Sequence, residues 1–230
     1  QVPVLLNQQS PDISQGVDQT TGEIGAGDQG IMFGFASNEA AEFMPAAIVY
    51  ARRLCDTVYN YALKNNDKFG VDIKTQVTVD YVTKENFENG LPQKIHTIVV
   101  SAPCVEGMKI EEVRTIIQEL IDNSGLPSKL YDKNSTIIHI NPTGRYVNHS
   151  SLHDSGLTGR KLIVDSFGGY APIGGGAQSS KDYTKVDRSG LYAARWIAKH
   201  IVASGLAKKA IVQISYAIGV ARPTSVAVDT

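Results

Sequence analysis

Residues 186–218 read VDRSGLYAARWIAKHIVASGLAKKAIVQISYAI, and their hydrophobic pattern indicates the fold class. Its first part, 186–203, spaces apolar residues as an amphipathic helix does, and Gly205 follows as a helix stop. Its last part, 210–218, is rich in Ile and Val and predicts a strand, with a second strand at 225–228. A long helix followed by two strands predicts layers of helix and sheet.

The same alternation of long helices and paired strands runs through the upstream chain. Helical spacing and β-rich runs predict two helices and four strands, at 39–63, 110–124, 75–82, 96–102, 136–140 and 161–166. Asn38 is a candidate cap for the first helix, although Pro45 allows a later start. The polar residues 1–28 predict a loop. Together these elements predict an α+β fold of repeated domains, each a mainly antiparallel sheet with helices packed on one face.

Composition excludes several classes of partner. The chain has 230 residues, 42% of them hydrophobic and 20% charged, with a formal net charge of −1. A surface built to hold nucleic acid or anionic lipid is strongly basic, so no nucleic acid and no membrane is expected as a partner. No apolar run approaches the ~18 residues of a membrane span. Cys55 and Cys104 lack metal-ligand spacing and are interpreted as reduced, packed thiols, which indicates a cytoplasmic enzyme or a piece of one.

Two motifs fit a function by letter but not by context. Residues 25–30, GAGDQG, match the dinucleotide-binding pattern G-x-G-x-x-G, yet a turn-rich loop precedes them and a strand-like run follows. The glycines instead favour a tight backbone turn that exposes Asp28. His149 and His153 have the i, i+4 spacing of zinc ligands, but their segment has little helical character, which favours solvated loop histidines.

A third motif, the glycine-rich loop at 174–182, is more specific. It reads GGGAQSSKD, carries Lys181 near its end and leads through Lys185 into the helix at 186. Backbone amides, a helix N-terminus and two lysines together favour a polyanion site. The loop is not a Walker A sequence, because Ser180 precedes Lys181 and Asp182 follows it.

A second basic pair and an acid extend this constellation. Arg160 and Lys161 end the glycine-bounded run GLTGRK at 156–161, and an arginine makes forked contacts to phosphate oxygens. Asp187 stands among these cations, and Mg²⁺ bound to phosphates takes only one or two carboxylates from a protein. The residues alone leave two interpretations open, an anion site and ordinary solvated surface charges.

Several of these segments resemble those of the methionine adenosyltransferases, or S-adenosylmethionine synthetases. Five stretches carry the likeness: 25–34, 72–77, 140–145, 156–161 and 174–195. The first and the last are similar to the two signature stretches of that family. The likeness runs from about residue 9 to the end of the chain.

The resemblance implies a reaction and an assembly. The sulfur of L-methionine attacks the ribose C5′ of ATP, triphosphate leaves, and it is then hydrolysed to diphosphate and phosphate. Two Mg²⁺ ions and K⁺ are the implied cofactors, and the active sites lie at the interface of a homodimer, with a homotetramer as the alternative assembly. On this likeness, 1–18 is a gating-loop segment at the end of a missing N-terminal domain, 19–147 is the central domain and 148–230 is an incomplete C-terminal domain.

The resemblance also implies roles for individual residues. Catalysis through polyphosphate contacts falls to Arg160, Lys161, Lys181 and Lys185, and Mg²⁺ binding falls to Asp187. The implied ATP-binding residues are Asp72, Lys74, Arg145, Tyr146, Asp154, Arg160, Lys161, Ala177 and Lys181. The implied methionine-binding residues are Gln9, Asp154 and Lys185, with Asp28 supporting the active site at the interface.

The sequence departs from the family at several positions. Tyr146 stands where a Phe is expected near adenine, Ser180 where many members have Gly, and Gln178 where Phe is usual. Tyr183 replaces a Pro of some members, and 148–151, NHSS, replace a glycine-rich stretch. These departures bear on kinetics and loop geometry rather than on reaction class. The alternative is a truncated or diverged non-catalytic chain that dimerises and binds nucleotide, and the 230 residues alone are expected to be inactive.

Overall fold

The computed structural model describes residues 3–5, 8–19, 22–150 and 152–230. The helices of this part are α1 (Pro11–Val17), α2 (Ala46–Lys64), α3 (Lys84–Glu88), α4 (Ile110–Asp122), α5 (Leu162–Asp165) and α6 (Val186–Ala203). Its strands are β1 (Gly30–Ser37), β2 (Lys74–Asp80), β3 (Lys94–Ser101), β4 (Ile137–Ile140), β5 (Lys209–Tyr216) and β6 (Ser225–Asp229). They fall into two units, called inner and outer for their place in the sequence alone: the inner unit is Ser37–Leu157, and the outer unit is formed by the described residues of Gln1–Ala36 together with Thr158–Thr230.

The inner unit is a three-stranded sheet covered by helices. Its strand order is β2-β3-β4, with β2 antiparallel to β3 and β4 parallel to β3. Parallel neighbours need a crossover connection, and α4 supplies it between β3 and β4. Helix α2 packs on β2, and the core between helices and sheet is fully buried at Leu54, Val58, Ile95, Ile98, Ile117 and Ile121.

The outer unit carries a second three-stranded sheet, in the order β1-β5-β6. Helix α6 packs on β5, whose alternate residues Ala210, Val212 and Ile214 point into the buried core. A Cβ on Gly34 of β1 would lie 2.0 Å from the carbonyl carbon of Ala194 in α6. The close approach of helix and sheet therefore requires a glycine at position 34.

The predicted α+β fold is confirmed, and α6 has the bounds that its apolar spacing predicts. The later start that Pro45 allows for the first long helix is also confirmed, because α2 begins at Ala46, directly after Pro45. Asn38 as its cap was wrong, since bends and turns separate that residue from the helix. Cys55 and Cys104 are both free thiols, one half-buried and the other buried. Across the described residues, none of the helices is long and apolar enough to cross a membrane.

Two further predictions of local structure were wrong. The strand expected at 161–166 is instead the short helix α5, in which the Ser166 amide donates to the Leu162 carbonyl at 3.1 Å. Its Ile and Val favour a strand, but Gly168 and Gly169 adopt positive φ and end the segment before a strand can extend. The polar segment expected to be a loop contains α1, which starts at Pro11, a residue pre-organised for the first helical position.

Candidate functional site

The glycine-rich loop packs against the first turn of α6 in the outer unit. Lys181 Nζ lies 2.5 Å from Asp187 Oδ2, and each side chain keeps only about a quarter of its surface exposed. A Cβ on Gly176 would lie 2.1 Å from either carboxylate oxygen of Asp187. The loop backbone, an ammonium group and a carboxylate therefore form one close-packed cluster at the start of the helix.

The structure brings the two glycine-containing signature stretches together within the outer unit. The Gly27 amide donates to the Thr184 carbonyl at 2.9 Å. A Cβ on Gly174 would lie 2.8 Å from the carbonyl oxygen of Ile31. Glycines therefore form the contacts at both places, because a side chain would force the two backbones apart.

The basic run at 156–161 reaches the same loop. A Cβ on Gly159 would lie 2.8 Å from the Ala177 Cβ, so this turn packs directly on the glycine-rich loop. The next residues, Arg160 and Lys161, are exposed beside it, and Lys161 precedes α5. Arg188 donates through its guanidinium to the carbonyl of Lys181 and so fixes the end of the loop to α6.

Gln9 and Lys185 line a shared cleft in the outer unit, with Ser14, Val17, Asp18, Asp182, Tyr183 and Thr184. Asp182 shapes one wall, since its Oδ1 accepts from the Thr184 amide at 2.8 Å and from the Thr184 hydroxyl at 2.6 Å. These hydrogen bonds stabilise the carboxylate and lower the pKa of Asp182. Asp28 does not line this cleft; it is exposed and accepts a hydrogen bond from the Gln29 amide.

The predicted nucleotide residues of the inner unit form a polar cluster of their own. The Tyr146 hydroxyl donates to Asp72 Oδ2 at 2.6 Å, and Lys74 Nζ lies 2.7 Å from Asp154 Oδ2. Lys74 Nζ also lies 5.9 Å from the centre of the Tyr146 ring. The hydrogen bond to Asp154 raises the pKa of Lys74. Burial raises the pKa of Tyr146, and the bond to Asp72 raises it further, because both favour the neutral phenol.

A buried asparagine turn holds this cluster at the end of β3 and β4. The side chain of Asn141 donates to the Ala102 carbonyl and accepts from the Ala102 amide, both at 2.9 Å. The turn then delivers Arg145 and Tyr146, and the Tyr146 carbonyl accepts from the Cys104 amide at 2.8 Å. Arg145 lines a cleft with Lys74, Ser101, Asn141, Thr143 and Tyr146. Three of the predicted residues, Lys74, Arg145 and Tyr146, therefore share one cleft. Asp72 and Asp154 are joined to it through their contacts with Tyr146 and Lys74.

Sequence reasoning missed two residues that shape these clusters and misinterpreted a third. Arg188 follows the predicted metal ligand, and a basic residue in the first turn of a helix carries no sign of an anchoring role. Asp182 could have been found, because Asp followed two residues later by Thr is typical of a side-chain-capped turn. His149 was interpreted as a solvated loop histidine, which was wrong, because its Nδ1 is buried. Its ring lies 6.2 Å from the ring of Tyr146 between centroids, and it fills the space over Gly70, a residue far away in the sequence.

Two family models match successive parts of the chain. The family model of the S-adenosylmethionine synthetase central domain matches residues 23–146, and that of the C-terminal domain matches residues 149–230. An S-adenosylmethionine synthase of Nitratiruptor sp. is 49% identical over 98% of this chain, and one of Nitrobacter hamburgensis is 48% identical over 100% of it. The chain spans 57% of the length of each.

A solved structure of an S-adenosylmethionine synthetase from Campylobacter jejuni is similar in fold and sequence. It superposes with a TM-score of 0.89 at 75% identity, over 92% of this chain and 54% of that chain. The two family models together cover most of the sequence, and the relatives are 48% and 49% identical to it. The chain belongs to the S-adenosylmethionine synthetase family.

Proposed function

We propose that the protein is a methionine adenosyltransferase, which forms S-adenosylmethionine from ATP and L-methionine. The relatives that carry the name S-adenosylmethionine synthase support this function. The structural observation that carries it is the cluster of Gly176, Lys181 and Asp187 at the start of α6. That cluster offers backbone amides, a cation and a carboxylate at one point, as a magnesium–polyphosphate site requires.

The chemistry suits such a site. A lone pair on the methionine sulfur forms a bond to C5′ of ATP, the C5′–O5′ bond breaks, and its electron pair leaves with the triphosphate. A sulfonium ion results, and water then splits triphosphate into diphosphate and phosphate. The neutral sulfur needs no general base, so the protein contributes alignment and stabilisation of a highly charged leaving group.

The cations of the outer unit stabilise the leaving group in this proposal. Lys181 and Lys185 approach the triphosphate from the glycine-rich loop and the start of α6, and Arg160 and Lys161 approach from the turn packed on Ala177. Lys181 is held in place by Asp187 before substrate binds. Its ammonium group is therefore pre-organised, which lowers the cost of ordering it in the transition state.

Asp187 is the proposed ligand for Mg²⁺. Its carboxylate lies against the backbone of the glycine-rich loop, beside the cations assigned to phosphate. One carboxylate with phosphate and water oxygens is a donor set that Mg²⁺ accepts, so the residues fit the ion. When bound, Mg²⁺ would neutralise charge on the triphosphate. A second Mg²⁺ ion and K⁺ are also proposed as cofactors, and they rest on the likeness to the family alone.

The inner cluster binds the adenosine and methionine parts of the substrates in this proposal. Asp72, Lys74, Arg145 and Tyr146 line the nucleotide site, and Asp154 meets both the nucleotide and the methionine ammonium group. Gln9 and Lys185, which share a cleft, are assigned to methionine. The active site forms between two copies in a homo-oligomer, with Asp28 near the interface. The proposed domain bounds remain 1–18, 19–147 and 148–230, of which 1, 2, 6, 7, 20, 21 and 151 lie outside the described residues.

The test is product formation by the full-length protein. ATP, L-methionine, Mg²⁺ and K⁺ are supplied, and S-adenosylmethionine is measured by chromatography. We expect product only when methionine and Mg²⁺ are both present. Nucleotide binding without product would instead support the non-catalytic alternative. ATP consumption that does not depend on methionine would contradict both the proposed enzyme and the non-catalytic alternative.

A further inference from the structure

The ring of His149 occupies a slot on the surface of the inner unit that is open because residue 70 is a glycine. A Cβ on Gly70 would lie 2.4 Å from Cε1 and 2.6 Å from Nε2 of His149. The same Cβ would lie 3.0 Å from Cγ of Pro103, and the Gly70 amide donates to the Pro103 carbonyl at 3.0 Å. The imidazole therefore fills the space that a side chain at position 70 would take.

The ring is held by shape rather than by a hydrogen bond at its inner nitrogen. His149 Nδ1 is buried and has no hydrogen-bond partner among the described residues. The ring meets Tyr146 edge to face, with an angle of 78° between the two planes. A buried polar atom without a partner is costly, so the contacts around it must offset that cost.

The loop that His149 begins also carries a predicted substrate ligand. Five residues later, Asp154 pairs with Lys74 through side chains that are both more than half exposed. Exposed ion pairs contribute little to holding a segment in place. The Ser150 amide reaches Asp72 Oδ2 at 3.5 Å, at the outer limit of a hydrogen bond. Unlike these exposed contacts, the ring of His149 has a buried atom, Nδ1, and fills the space over Gly70.

We propose that His149 is a positioning residue: by filling the slot over Gly70, it fixes the loop that presents Asp154 to the substrates. The inference rests on the proposed function, which assigns Asp154 to nucleotide and methionine. His149 itself touches neither substrate. Its effect reaches the reaction through the position of Asp154 and through the ring of Tyr146.

The experiment is a double-mutant cycle in the full-length protein. His149→Ala removes the ring, and Gly70→Ala expels it by collision with the new methyl group. Each single variant is expected to raise KM for methionine and KM for ATP about tenfold with kcat nearly unchanged, as loss of ground-state positioning does. Because both changes break one contact, the double variant is expected to resemble His149→Ala rather than to multiply the two effects. His139→Ala is the matched control, an exposed histidine of the same unit that lies outside this loop.

A second measurement does not depend on turnover. Amide hydrogen exchange over residues 152–157 of the ligand-free protein is expected to speed up in both single variants and to stay unchanged in His139→Ala. Where Gly70→Ala lowers the thermal midpoint below that of His149→Ala, the double variant is expected to return it to the His149→Ala value, since the collision is gone. The inference would be overturned if the KM increases of the two single variants multiplied in the double variant. It would also be overturned if His149→Ala left the exchange rates unchanged. An unaltered protein that forms no product would contradict the proposed function, while the exchange data would still decide whether His149 holds the loop.

Discussion

Gly176 and Asp187 are in such close contact that no side chain fits between them. A Cβ on Gly176 would lie 1.9 Å from the carboxylate carbon of Asp187, and Asp187 in turn pairs with Lys181. A Cβ on Gly175, one residue earlier, would have no described atom within 4 Å beyond its chain neighbours. The two adjacent glycines therefore provide a matched pair of sites, one closed and one open.

Gly176→Ala is expected to displace the Asp187 carboxylate and to separate Lys181 from it. Because misplacing a catalytic group by about 1 Å costs on the order of 100-fold in rate, we expect kcat for S-adenosylmethionine formation to fall by about that factor. Gly175→Ala is expected to change kcat less than about twofold, since its methyl group meets open space. Equal losses in the two variants would contradict a specific role for the contact.

Lys181→Met is expected to weaken the stabilisation of the leaving triphosphate. Loss of one such electrostatic contact lowers kcat by about 100- to 1,000-fold. The inhibition constant of inorganic triphosphate is expected to rise in parallel, because the same ammonium group binds it. Lys208→Met serves as the control at an exposed lysine. A Lys181→Met variant with unchanged triphosphate inhibition would remove Lys181 from the polyphosphate site.

Ser180→Gly is expected to stabilise the protein. Ser180 has a φ of 61°, a left-handed conformation that is unfavourable for residues with a Cβ. That conformation costs about 1–2 kcal/mol, and the greater flexibility of glycine in the unfolded chain offsets about 0.5–1 kcal/mol, so the net gain is about 0.5–1 kcal/mol. Urea denaturation measures it. Ser179→Gly, at a neighbour with negative φ, is expected to be destabilising, and a shift of both variants in one direction would contradict the strain.

The pKa of Tyr146 is expected to respond with opposite signs to the loss of Asp72 and to the loss of Lys74. The Asp72 carboxylate disfavours a phenolate beside it, so Asp72→Asn lowers the pKa of Tyr146. The Lys74 ammonium favours the phenolate, so Lys74→Met raises it. Carbon NMR of labelled tyrosine rings follows the titration, with Tyr146→Phe assigning the signal. A pKa that neither change moves would contradict the contacts of Tyr146.

Long periodic segments were the part of the fold that the sequence predicted best. The amphipathic spacing of α6 is sustained over five turns, so local pattern and tertiary packing agree there. The short run that became α5 has only four residues, and in so brief a segment the neighbouring turns outweigh the strand preference of Ile163 and Val164. Pro45 shows the value of a residue with one dominant backbone effect, because it set the start of α2 correctly.

The candidate site was predicted in its residue types but not in its contacts. Spacing and likeness pointed to Lys181 and Asp187 separately, whereas their pairing depends on how the loop folds back on α6. The left-handed backbone at Ser180 was equally hidden, because only the comparison with glycine in other family members hinted at it. The slot for His149 arises from residues far apart in sequence, and such a contact leaves no periodic signal.

The most direct test of the central claim is the product stoichiometry of the full-length protein. With ATP, L-methionine, Mg²⁺ and K⁺, the proposed reaction predicts S-adenosylmethionine, diphosphate and phosphate in equal amounts for each ATP consumed. Mass spectrometry and phosphorus NMR measure all three products in one sample. Formation of ADP or AMP in place of S-adenosylmethionine, or ATP consumption without methionine, would contradict it.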